Sequence, residues 1–262
     1  MTGTYDIKWL LYVIIPFLLT AIILVVLHFT VKKETTKENW IKIFGFLTLI
    51  SHISVYYYKY IVLKQPANDA GVSTFFPIYP CNVAMMLFPI VYLFNGKTRT
   101  FLIEFLAYYG VYGGVITMFE PSSFYSGGDI LYWPTFKSFL SHSLLLLTSL
   151  YCFTSGTVKI GIRNIVSFVG GILLIFLPTG LIMNYILLKA GYDPNAMYLR
   201  YLPLEGVPLL NPYIISFLMA LVVLLFITVW DRFKKPEEER WYVILKNKFA
   251  DWQVKYKQLN SK

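Results

Sequence analysis

The chain has 262 residues, of which 57% are hydrophobic, 18% aromatic and only 14% charged, with a mean hydropathy of +0.59. Soluble domains carry about 25% charged residues, so this composition excludes an ordinary soluble globule and places the chain in the membrane class. The formal net charge of +9 would suit nucleic acid, but most positive residues flank apolar runs, which reads as an orientation signal and contact with anionic lipid.

Apolar stretches fall at 9–30, 40–63, 75–94, 100–119, 133–155, 163–188 and 211–230. Each is near the ~20 residues a helix needs to cross a bilayer. The first begins after a single lysine and no small-residue cleavage site follows it, which argues against a cleaved signal peptide. In the fourth, Gly110 and Gly114 form a GxxxG pair, suited to packing within the bundle or to dimerisation. No run of arginines and no selectivity-filter motif occurs. Beyond the last stretch lies a basic tail, 232–262. Pro236 and the carboxylates Glu237, Glu238 and Glu239 suit the first turn of a helix there. Trp241, Leu245, Phe249, Trp252 and Tyr256 then recur at helical spacing, with Lys246, Lys248, Lys255 and Lys257 between them. An amphipathic helix lying on an anionic lipid surface fits this pattern, as does one packed on the chain's own loops.

Lysine and arginine between the stretches alternate strongly, with 16 in one set of connections and 4 in the other. Under the positive-inside rule this puts the N-terminus outside and the tail in the cytoplasm. The expected architecture is therefore an all-α membrane protein: a seven-transmembrane-helix bundle over residues 1–231, in the plasma membrane, and a cytoplasmic amphipathic helix in 232–262.

Polar residues at membrane depth are costly and are the first candidates for function. At 1.5 Å per residue, Cys81 lies about 9 Å into the third stretch from outside, His142 about 13 Å into the fifth, Asn184 about 6 Å from the outer end of the sixth, and His52 about 16 Å down the second. Four stretches thus place polar groups in one outer layer. Cys81 follows Pro77 and Pro80, which mark a delayed helix start. A cysteine in a first helical turn meets the positive end of the dipole, which favours the nucleophilic thiolate. A neighbouring imidazole would act as base, with His142 at matching depth and His52 a weaker second. Structural readings stand beside these: cysteine as a packing residue, histidine as an interhelical bond, Asn184 as either a helix–helix bond or a substrate-orienting amide. Glu104, near the inner end of its stretch, reads as structural. Cys152 lies about 15 Å below His142, which argues against a disulfide with Cys81. Two cysteines give no zinc spacing, and no metal or cofactor is expected.

The runs Pro80-Cys81-Asn82, Glu104 to Gly110, Ser141-His142 and Met183-Asn184-Tyr185 occur in this order. Together with seven spans, they resemble the YwaF-like bacterial membrane proteins related to eukaryotic transmembrane protein 164, over about residues 40–230. The Tyr79-Pro80 pair departs from the His and Leu often found there in bacterial relatives. The eukaryotic branch is associated with acyl transfer between phospholipids, a cysteine carrying the acyl group beside a histidine partner. The resemblance puts those roles on Cys81 and His142. The expectation is a lipid acyltransferase acting on membrane phospholipids, with Asn82 or Asn184 holding the carbonyl oxygen and His52 in the substrate-binding set. The alternative is a transporter or solute-binding protein using the same polar cluster. A third reading is an assembly or sensor protein that works through its tail.

Overall fold

The computed structural model describes residues 5–65, 75–121, 125, 129, 131–202 and 211–260. Most of the loop 120–132, the side chains of Lys255 and Lys257, and Lys262 lie outside the described set. Every regular element within it is helical. In chain order α1 is Ile7–Thr30, and α2 is Glu34–Tyr57 with a π turn at Tyr58–Val62. α3 is Pro80–Ile90 with a 3-10 turn at Val91–Leu93, and α4 is Gly96–Phe119. α5 is Trp133–Thr154, and α6 is Arg163–Lys189, interrupted by a π turn at Ile172–Phe176. α7 is Pro212–Lys234 and α8 is Trp241–Asn260.

Local chemistry sets the ends. Asp6 caps α1 by accepting from the Trp9 amide at 2.8 Å, and Asn211 caps α7 by accepting from Ile214 at 2.9 Å. Pro80 and Pro212 occupy first turns, where the missing N–H is no loss. α3 therefore starts late, as the two prolines lead one to expect. α6 stops at Gly191, whose φ of +84° supports a closing pair of bonds, Tyr192 to Leu187 and Gly191 to Leu188.

Among the described residues five helices are long and apolar enough to cross a membrane: α1, α2 with its π turn, α4, α6 and α7. α3 with its 3-10 turn has 14 residues, about 21 Å of rise, against a hydrocarbon core of about 30 Å. α5 is long enough, but Lys137, His142 and four serines lower its apolar content. The burial pattern is that of a membrane protein. α1 exposes Leu18, Ile22, Val25, Val26 and Phe29, while Thr48, Ser51, His52, Asn82, Ser141, His142 and Ser149 are buried.

α5 is the central helix, packed on α4, α2 and α1; α3 packs against α2 and α4, α6 against α4, and α7 against α6. The GxxxG pair explains the α4–α5 approach. A Cβ on Gly110 would fall 2.0 Å from Ser149 Oγ, and one on Gly114 would fall 2.7 Å from Leu146 Cβ. These glycines serve packing inside the bundle. α6 approaches α4 closely too, since a Cβ on Gly171 would overlap the Phe105 ring. At one end of α4, Glu104 accepts from Arg163 at 2.6 Å and from Ser167 at 2.5 Å, tying α4 to α6.

The connection after α6 turns back on the helix. Asn184 donates to the Ala196 carbonyl at 3.1 Å and accepts from the Ala196 amide at 2.8 Å. Met197 donates to the Ile78 carbonyl at 2.8 Å, and a Cβ on Gly180 would meet Leu199 and Met197 within 3 Å. Gly180 is about 14 Å along the helix from Lys189, so residues 195–199 form a re-entrant turn. Irregular backbone at such depth is stable only where protein surrounds it, and Ala196 and Met197 are indeed buried.

The tail differs in one respect from expectation. Glu237–Glu239 form a 3-10 turn rather than the first turn of α8, which begins at Trp241. Asp231, fully buried, sets the launch: it lies 2.9 Å from Lys235 Nζ and accepts from the Trp241 amide at 3.2 Å. The Trp241 indole donates to Thr228 at 3.1 Å. Farther along, Phe249, Trp252 and Tyr256 are exposed and stack in a row.

Candidate functional site

Cys81 is half-buried in the first turn of α3. Its thiol donates to Asn82 Oδ1 at 3.7 Å, and the backbone N–H groups of Cys81 and Asn82 lie within hydrogen-bonding reach of the sulfur. The position follows from the sequence: Pro80 opens the helix, so the Cys81 amide has no helical carbonyl four residues back, while the Asn82 amide donates to the Tyr79 carbonyl at 3.0 Å. Asn82 is buried beside it.

His142, on α5, is buried and its Nδ1 lies 2.7 Å from the Ser138 carbonyl. A carbonyl only accepts, so Nδ1 carries the proton and the neutral ring has its lone pair on Nε2. Cys81 and His142 bracket the same turn of α4. A Cβ on Gly113 would lie 3.7 Å from Cys81 Cβ, and one on Gly114 would lie 3.0 Å from the His142 carbonyl oxygen. His52 is buried on α2, which packs against both α3 and α5. Asn184 is brought elsewhere: both ends of its amide hold Ala196 in the re-entrant turn.

That turn nonetheless belongs to the site. Tyr198 lies within electrostatic reach of Cys81, as does Tyr109 of α4. Tyr79 and Tyr198 rings are 5.8 Å apart, and Tyr109 meets Phe176 of the α6 π turn edge-on at 4.4 Å. Met197 and Tyr198 have φ of +54° and +56°, a left-handed backbone that is costly for both side chains. Strain of this kind persists where surrounding contacts enforce it, and here Ile78, Gly180 and Asn184 do so.

Sequence reasoning missed one residue. Lys137, one turn into α5 and 8% exposed, acts electrostatically on both Cys81 and His142. Among the described residues it forms no ion pair and no hydrogen bond, and the other charge within its reach is a second cation, Lys59. A lysine inside an apolar stretch was the available signal. Chemically, the neighbourhood holds a thiol, an imidazole, a buried lysine and an open first-turn amide. That set suits acyl transfer on an anionic lipid. Cys81 and Cys152 are both free thiols, and no group of metal-ligating residues occurs among the described residues.

Neither the curated proteins nor the solved structures give a match to this sequence. A family match does exist, and it spans residues 4–231, from ahead of α1 into the last turn of α7, leaving out α8. The site residues Cys81, Asn82, Lys137 and His142 all fall inside it. By that match the chain belongs to the TMEM164 family.

Proposed function

We propose that the protein is a membrane-embedded lipid acyltransferase with Cys81 as nucleophile and His142 as base. The observation that carries this reading is the Cys81 thiol in a helix first turn, linked to the His142 imidazole through a buried lysine that acts on both and has no carboxylate partner. An unpaired cation at membrane depth is expensive unless an anion arrives to meet it. A donor phospholipid brings that anion in its phosphate. In the first half-reaction His142 takes the thiol proton and sulfur adds to the ester carbonyl. The C–O bond then breaks, the lysolipid oxygen takes the proton from His142, and a thioester remains on Cys81. In the second half-reaction His142 takes the proton of an acceptor hydroxyl, which attacks the thioester and releases the thiol. Lys137 holds the phosphate, and the Cys81 amide at the open first turn of α3 is the donor for the carbonyl oxygen as charge develops there.

We further place the chain among the YwaF-like bacterial members, as a seven-span protein of the plasma membrane with its N-terminus outside. The motif order supports the first, and the 16-to-4 basic asymmetry supports the topology. On this reading α3 and α5 also cross, shielded by α2 and α4, so neither needs a fully apolar surface. The test of the chemistry is acyl exchange between labelled lipids in liposomes. Wild type should exchange and carry a hydroxylamine-sensitive acyl group on Cys81; Cys81→Ser should do neither. Unchanged exchange by Cys81→Ser would remove the covalent mechanism.

The buried hydroxyls of Ser51 and Ser149, which lack partners among the described residues, favour a second reading in which polar solute passes along α2 and α5. Substrate-dependent flux that survives Cys81→Ala is its signature.

A further inference from the structure

We propose that a cavity of about 130 Å³ between the end of α1, the first turn of α2 and the end of α5 binds the phosphate of an anionic phospholipid. None of its lining residues belongs to the Cys81 cluster, and on the seven-span reading it opens to the leaflet beside the basic tail. The phosphate chemistry does not depend on that orientation.

The key residue is Tyr151. Its side chain is 1% exposed and its hydroxyl has no hydrogen-bond partner among the described residues, yet it lines this cavity. Buried hydroxyls are nearly always satisfied, and a phenol that has no protein acceptor calls for a ligand that supplies one. The remaining wall gives the sign of that ligand. Lys32, Lys37 and Thr154 all line the cavity. Lys32 Nζ donates to the His28 carbonyl at 2.7 Å, which neutralises the negative end of α1 and leaves two ammonium hydrogens. Lys37 Nζ lies 2.7 Å from Glu34, whose side chain is 75% exposed and is not part of the wall. The cavity wall therefore carries two lysines and a buried tyrosine, with the exposed Glu34 carboxylate, which also acts electrostatically on Tyr151, against them. An anion rich in acceptor oxygens satisfies all three.

A lipid is the favoured source because of what adjoins the cavity. Val25, Val26 and Phe29 of α1 are exposed and apolar, forming a track for acyl chains that ends at Lys32. A headgroup phosphate seated between Lys32, Lys37 and Tyr151 would leave its chains along that track.

The test uses the full-length protein in mild detergent, titrated with phosphatidylglycerol, phosphatidylcholine or inorganic phosphate, with bound lipid read by native mass spectrometry and stability by Tm. Phosphatidylglycerol should bind and raise Tm, and phosphatidylcholine should do so much less. The pair Lys32→Gln and Lys37→Gln together should weaken phosphatidylglycerol binding about tenfold. Tyr151→Phe keeps the buried ring, so the lipid-free Tm should hold or rise while binding weakens several-fold. The basic tail is intact in every variant, so its own attraction for anionic lipid cancels. Undiminished phosphatidylglycerol binding in both variants would overturn the site, and equal binding of phosphatidylcholine would overturn its preference for anions. The same Tm rise with inorganic phosphate alone would overturn the lipid source in favour of a free anion.

Discussion

Replacing Gly114 with alanine puts a methyl group between α4 and α5 where no space exists. The new Cβ would lie 2.7 Å from Leu146 Cβ, 3.2 Å from Leu146 Cα and 3.0 Å from the His142 carbonyl oxygen. Carbon atoms rest at about 3.5–4.0 Å, so the helices would have to separate by about 1 Å. None of the three atoms can escape by a side-chain rotation, because all belong to the backbone or the first side-chain carbon of α5. Overpacking of this kind costs about 1–3 kcal/mol, and the better helix propensity of alanine returns up to about 1 kcal/mol. A net loss of about 1–2 kcal/mol is expected. Gly113→Ala is the control one residue away: its nearest contacts would be 3.5 Å to Leu145 and 3.7 Å to Cys81, ordinary packing distances. It should be as stable as wild type or better. Reversible unfolding of both variants in lipid nanodiscs measures the difference. Equal stability of Gly114→Ala and wild type would refute the argument, as would a larger loss in Gly113→Ala.

Gly113→Ala should still lower acyl exchange, because its methyl narrows the space beside Cys81; full activity in a fully folded Gly113→Ala would show that this side of the sulfur is not used. Lys137→Met removes a buried cation that has no protein partner, so stability should hold or rise while exchange from phospholipid donors falls about tenfold or more; retention of wild-type exchange would take Lys137 out of the site. Glu104→Ala deprives Arg163 and Ser167 of their acceptor. Arg163 is largely exposed and rehydrates, so a loss of about 1–2 kcal/mol is expected rather than the larger cost of a fully buried pair, checked by the same unfolding assay. Asp6, the N-cap of α1, is held below the ordinary 3.8 by the Trp9 amide and then by the Tyr125 hydroxyl. Its contribution is complete above pH 3.8 and disappears as pH falls through the depressed value, so a Tm–pH curve should lose that acid-side step in Asp6→Asn.

Helix placement was legible because a bilayer imposes a length on every apolar run, and α5, α6 and α7 begin within a residue of the expected positions. The start of α3 was legible for a local reason, the two prolines. The beginning of α2 was not: its first turn is charged, from Glu34 to Glu38, and hydropathy cannot see a helix that extends past the apolar zone. Lys137 escaped because an average over an apolar window absorbs a single lysine. The re-entrant turn escaped for a different reason. Met and Tyr carry no preference for left-handed backbone, so the conformation of Met197 and Tyr198 is imposed by contacts with Ile78 and Gly180, far away in sequence. For the same reason Asn184 reads in isolation as a candidate ligand for substrate, whereas Ala196 takes both of its hydrogen-bonding ends.

The shortness of α3 has a consequence for the surrounding lipid. A helix of about 21 Å in a core of about 30 Å leaves a deficit of about 9 Å, and the extended residues before Pro80 occupy it together with the re-entrant turn bonded to Ile78. On the seven-span reading the deficit lies above Pro80, at the end of α3 that carries Cys81. Lipid ester groups, which normally sit at the edge of the hydrocarbon, would meet polar backbone there rather than a closed apolar helix. On the proposed acyl-transfer reading the ester carbonyl would reach Cys81 beside that turn, and no lipid would have to leave the membrane to do so.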